Sequence, residues 1–128
     1  MKVLALDYGS ARTGVAVSDP TGTLARPLAT VERAATEDGL RRLGELVVAE
    51  KPERVVVGMP LTLRGERGEQ ARETERFVES LRRELDVPVE TFDERFTTTL
   101  AGPGGDDDAR AAAHLLTSYL EWSKTRQP

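Results

Sequence analysis

The run Asp7-Tyr8-Gly9-Ser10-Ala11-Arg12-Thr13-Gly14 sets a carboxylate beside a glycine turn, an arginine and two hydroxyls. Free backbone N–H groups in such a turn, with Arg12 next to them, make a phosphate environment. An aspartate and a glycine that merely shape a hairpin would give the same string. Further acids stand at Asp93-Glu94-Arg95 and at Asp106 to Asp108. Such a triplet is commonly a set of solvated loop charges, and acids in a first helical turn also complement the macrodipole. Taken together, Asp7, one acid of the Asp93–Glu94 pair and Asp108 offer three carboxylates of the kind that Mg²⁺ prefers. Two such ions activate a water and stabilise the leaving oxygen when a phosphodiester is hydrolysed. Gathered carboxylates also repel, so one of the three is expected to resist ionisation.

The elements that carry these acids decide whether they meet. Lys2 to Asp7 is a nearly continuous apolar run, the mark of a strand buried on both faces. Asp7 ends it, at the carboxyl edge where open α/β sheets bind ligands. Thr13 to Ser18 reads as a second strand, antiparallel to the first, and Leu28 to Val31 as a third. Thr36 to Glu50 has Leu40, Leu43 and Val47 at helical spacing behind an N-cap at Thr36, and Pro52 closes it. A strand over Arg54 to Gly58, a helix over Glu69 to Leu85, a strand over Pro88 to Phe92 and a helix over Asp107 to Trp122 follow. That alternation implies parallel strands with right-handed crossovers. Asp7 and the Asp93–Glu94 pair then lie at carboxyl ends on one side of the sheet. Asp108 heads the helix stripe Ala112, Leu115, Tyr119 and Trp122, while His114 falls off that stripe and reads as a surface residue.

The expected fold is therefore α/β: a three-stranded meander plus two parallel strands, in one mixed five-stranded sheet flanked by helices. This is the element order of the ribonuclease H-like architecture. Residues 1–128 read as a single domain, in keeping with a length of 128 residues.

Composition narrows the chemistry. Charged residues make up 31% and hydrophobic ones 38%, a soluble globular balance. No apolar run approaches the length of a membrane span, and no secretory leader follows Met1, so a cytoplasmic protein without a membrane partner is expected. The chain has no cysteine and one histidine. That excludes disulfides, thiol nucleophiles and multi-histidine metal centres. A net charge of −4 does not advertise nucleic acid. A cleft can still be electropositive on an acidic protein. The cations are nearly all arginine, which suits bidentate phosphate contacts, although coding-DNA composition accounts for the same bias. Arg64 and Arg67, ahead of the second helix, are the best placed to touch a polyanion.

Four ordered blocks carry a family resemblance: LDYGSARTGVAVSDP at Leu6 to Pro20, VVVGMPL at Val55 to Leu61, FDERFTT at Phe92 to Thr98 and DARAAAHLLTSYLE at Asp108 to Glu121. They resemble the signature blocks of the YqgF family, also called RuvX, whose members are linked to maturation of the 5′ end of pre-16S rRNA. The resemblance implies a ribonuclease H-like fold and a nuclease that uses Mg²⁺ or Mn²⁺. Asp7, Glu94 and Asp108 are then the metal-binding and catalytic acids, with Asp93 beside Glu94. Glu94 is favoured over Asp93 for its longer reach. Arg12, Arg95, Thr97 and Arg64 are expected to contact nucleic acid, structured RNA ahead of branched DNA. The resolvase RuvC carries an acid at the end of its fourth strand, where this chain has Gly58-Met59-Pro60. Family members usually have a longer, often basic segment before the last-helix aspartate, whereas Thr99 to Asp107 here contain no Lys or Arg.

Two other functions compete with a nuclease of the ribosome-assembly machinery. One is a nucleic-acid-binding module of the same fold that has lost catalysis along with its basic loop. The other is a nucleotide-binding domain of the actin and sugar-kinase type, because DYGSARTG resembles its first phosphate loop. Such enzymes close two domains around the nucleotide, and this chain has room for one.

Overall fold

The computed structural model describes residues 1–61, 64, 68–96 and 108–125. Its strands are β1 (Val3–Asp7), β2 (Arg12–Ser18), β3 (Ala25–Glu32), β4 (Arg54–Met59) and β5 (Val89–Asp93), and its helices are α1 (Glu37–Glu50), α2 (Glu69–Glu84) and α3 (Asp108–Thr125). A short 3-10 turn, Glu94–Phe96, follows β5. The five strands form one sheet in the order β3-β2-β1-β4-β5. β1 to β3 are the antiparallel meander, and β1–β4 and β4–β5 are parallel. The expected architecture is the one observed.

Alternation along β1 divides the core. Leu4 and Leu6 pack with Leu43 and Val47 of α1 and with Phe77, Val78 and Leu81 of α2. Val3 and Ala5 face the other way, against Ala112, Leu115, Leu116, Tyr119 and Leu120 of α3. α1 and α2 therefore cover one face and α3 the other. β3 runs longer than its apolar stretch, because Ala25 and Arg26 continue the pairing with Ser18 and Val17.

Local chemistry explains the helix ends. Thr36 Oγ1 accepts the Gly39 N–H at 3.2 Å, which satisfies one orphan donor of α1. Lys51 turns into the left-handed region (φ 53°) and its N–H donates to the Val47 carbonyl, so the helix stops one residue before Pro52. One expectation needs correction. His114 is half-buried rather than a surface residue, because α3 lies flat on the sheet and buries a broad stripe including Ala109, Ala112, Leu115 and Leu116. Among the described residues, no helix is long and apolar enough to cross a membrane.

Candidate active site

The alternation that puts Val3 and Ala5 under α3 puts Asp7 there too. Its neighbours in the sheet on that face are glycines. Gly14 is its partner in β2. Gly58 lies one step beyond the Leu6–Val57 pair in β4. A carboxylate at the end of a buried strand is thus flanked by two positions without side chains.

Other groups fill both gaps. A Cβ on Gly14 would stand 1.7 Å from the backbone carbonyl oxygen of Asp108, so the first turn of α3 rests directly on β2. A Cβ on Gly58 would fall 2.7 Å from Glu94 Oε1 and 3.1 Å from Leu115 Cδ2. The Glu94 carboxyl therefore reaches back from the 3-10 turn over the end of β4.

Glu94 and Asp7 are hydrogen bonded, and both are held above the usual carboxylate range. For Asp7 the main cause is burial, followed by the charge of Asp108; the hydrogen bond from Glu94 works against both. Glu94 is pushed up to about 7 by burial, then by the Asp7 charge and the shared hydrogen bond, and last by Asp93. The bond favours the charged form of Asp7 and the neutral form of Glu94, so the shared proton sits on Glu94. Glu94 is the acid that resists ionisation.

The remaining acids have basic partners. Arg12 Nε stands 3.2 Å from Asp108 Oδ2. Asp93 accepts Arg95 Nε at 2.9 and 3.1 Å, Arg95 Nη2 at 2.5 Å and the Arg95 backbone N–H at 2.9 Å, which holds its carboxyl below the usual range. Alternation separates the pair: Phe92 points to the α3 side, so Asp93 leaves β5 on the other. Arg64 is exposed in the β4–α2 connection. Thr97, Arg67, Asp106, Asp107 and the segment from Thr99 lie outside the described residues.

The turn bearing Asp7 is tied down on each side. Thr13 Oγ1 donates to the Gly9 carbonyl at 3.3 Å and accepts the Gly9 N–H at 3.4 Å. Tyr8 points away from Asp7, stacks on Phe77 at 4.3 Å and donates its hydroxyl to Glu73 Oε1 at 3.0 Å. Burial and Glu73 push the Tyr8 phenol up to about 12. Motif reasoning named Gly14 and Gly58 without the close approaches they permit, and it passed over Tyr8 as the anchor of the turn. Parity along β1 and β4 was the signal available for the two glycines.

The donor set suits a hard divalent cation in kind, being oxygen only and partly desolvated. Among the described residues, however, no three acids or imidazoles are already gathered around one point. Asp7 and Glu94 are together, and Asp108 is engaged by Arg12.

The profile of the RuvX family, described as Holliday junction resolvase, matches residues 1–122. A Chloroflexus aurantiacus protein named "Putative pre-16S rRNA nuclease" is 46% identical over 77% of this chain, and the match spans 65% of that relative, just under two thirds of its length. A Sulfurihydrogenibium protein of the same name is 44% identical, with 94% of this chain and 90% of the relative covered. In fold the chain is similar to Thermus thermophilus RuvC, solved with a Holliday junction substrate, at a TM-score of 0.62 with 20% identity, covering 97% of this chain and 96% of that one. That likeness supports the ribonuclease H-like architecture. On the family match and the identity to these relatives, the chain belongs to the RuvX family.

Proposed function

We propose that this chain is a metal-dependent nuclease that hydrolyses phosphodiester bonds of structured nucleic acid, with the 5′ end of pre-16S rRNA as its substrate. The observation that carries this reading is the Asp7–Glu94 pair, brought from the ends of β1 and β5 onto the bare end of β4 at Gly58. Relatives named as pre-16S rRNA nucleases support the choice of RNA over branched DNA. Work on ribosomal RNA precursors implies the cytoplasm. Residues 1–128 act as one domain in this reading, since the acids invoked come from β1, from the turn after β5 and from α3, all built on one sheet.

Asp7, Glu94 and Asp108 would hold Mg²⁺ or Mn²⁺. Such an ion supplies an activated water and a counter-charge for the leaving oxygen. The protein's own residues set the conditions. Asp7, sharing a proton held on Glu94, keeps negative charge where burial strengthens every electrostatic interaction. To serve as a ligand, Glu94 would have to give up the proton that it shares with Asp7. Arg12 presents a fork that matches phosphate geometry at the mouth of the site. Asp93 and Arg95 neutralise each other beside it and fix the start of the 3-10 turn.

The test is cleavage of a 5′-extended RNA and of a four-way DNA junction, in Mn²⁺ and in EDTA, by wild type, Asp7→Asn and Glu94→Gln. Metal-dependent cleavage of the RNA, lost in both variants, is the expected result. Binding to the RNA without cleavage would replace the nuclease with the binding module. Faster cleavage of the junction would replace the RNA substrate.

A further inference from the structure

Arg12 has a fixed base and a free arm. Its backbone begins β2 opposite Glu32, and the preceding Ala11 carbonyl accepts the Arg33 N–H at 2.9 Å. Its side chain is 61% exposed, yet the guanidinium reaches Asp108, whose side chain is 29% exposed. The oxygen it reaches, Oδ2, belongs to the acid that would complete the cation site. A guanidinium and a dication cannot share that oxygen at close range, because their charges repel. The same planar fork pairs equally well with a phosphate.

We infer that Arg12 is a positioning residue that competes with the cation for Asp108 and exchanges that carboxylate for a substrate phosphate when the cation takes it. This rests on the reading of Asp7, Glu94 and Asp108 as a cation site. Two ligands are gathered by the fold, and the third is withheld by a side chain free to swing away. The exchange links the two occupants. A cation releases Arg12 to the nucleic acid, and a phosphate that draws Arg12 away opens Asp108 to the cation. By linkage, each tightens the other. The competition is modest, since exposed ion pairs contribute up to about 1 kcal/mol, or roughly fivefold in a binding constant.

The experiment is Mn²⁺ titration by calorimetry on the intact protein without nucleic acid. Wild type is compared with Arg12→Gln, Arg12→Lys and Arg26→Gln. Arg26 pairs with Glu50 at the other end of β3, so its substitution changes net charge equally but away from the site. Arg12→Gln is expected to bind Mn²⁺ about two- to fivefold more tightly than wild type. Arg12→Lys, which keeps a charge without the rigid fork, should fall between them, and Arg26→Gln should match wild type. Equal or weaker Mn²⁺ binding by Arg12→Gln overturns the competition while leaving the cation site intact. The same tightening in Arg26→Gln reduces the effect to net charge and also overturns it. Absence of Mn²⁺ binding in wild type overturns the site reading itself, and the competition with it.

Discussion

The carbonyl oxygen of Asp108 occupies the space above Gly14 where any other residue would carry its Cβ, with only 1.7 Å between the two positions. Both partners are backbone, so no rotamer change relieves the contact. Gly14 lets α3 settle onto β2, and Gly14 is also the sheet partner of Asp7. One missing side chain thereby sets the height of Asp108 over Asp7.

Gly14→Ala should cost about 1–3 kcal/mol of stability, the range for overpacked interiors. It should also lift Asp108 from the site. Chemical denaturation measures the first effect and loss of Mn²⁺-dependent thermal stabilisation the second. A variant as stable as wild type would mean that α3 seats elsewhere in solution.

Gly58→Ala makes a different prediction, because the group in its way is the tip of a flexible Glu94 side chain, with Leu115 Cδ2 behind it. The fold should lose about 1 kcal/mol or less, while Glu94 swings off Asp7. The readout is the Glu94 carboxyl resonance in a pH titration. It should titrate near the ordinary glutamate range in the variant and near 7 in wild type. An unchanged titration would mean that Glu94 does not depend on the gap at Gly58.

Metal-free stability should fall as pH rises. Asp7 and Glu94 both have folded-state values above their unfolded ones, so folding takes up protons between the two. Their contribution is complete below 3.8, the lower of the two unfolded values, and is lost as pH climbs through about 7. For Glu94 the loss is on the order of 3 kcal/mol. Urea melts in EDTA from pH 4.5 to 8 should show this decline for wild type, and a flatter profile for Asp7→Asn and Glu94→Gln. Asp7→Asn should be no less stable than wild type at neutral pH, where it removes a repelled charge. A large loss would make Asp7 a structural turn residue.

Asp19 carries the opposite sign. It closes the β2–β3 turn, accepting the Thr23 and Leu24 N–H groups at 2.8 Å each and the Thr21 hydroxyl. Those bonds, led by Thr21, hold its carboxyl far below the usual range. Its stabilisation is present above the unfolded value of 3.8 and fades only at much lower pH. Asp19→Ala should melt below wild type at pH 7 and still do so at pH 3. Equal melting at pH 3 would show that Asp19 titrates as an ordinary carboxylate.

Most of the sheet was legible because apolar runs and turn residues report burial directly. Val3 to Leu6 reads as a strand buried on both faces, and it is one. Thr36 reads as a cap, and its hydroxyl caps. The carboxyl-end positions of Asp7 and Glu94 also follow from strand direction. What side chains do after the strand ends did not follow. Period-two alternation separates Asp93 from Asp7, a stronger reason to prefer Glu94 than its length, but the rule was available only once β5 was seen to end at Asp93. The pairing of Arg12 with Asp108 joins residues far apart in the chain and leaves no periodic trace. His114 was misplaced because a single stripe underestimates how much of a helix a flat sheet buries.

The sheet order also sets a timetable for synthesis. β1 pairs with β2 and β2 with β3, so the meander can close while the rest of the chain is still being made. Glu94 arrives after β5, and α3 comes later still, to lie across the strands made first. A nascent chain halted before α3 already holds Asp7 in place, but lacks Asp108 and the helix that roofs that face of the sheet. The acid proposed to complete the cation site is thus the last of the three to be made.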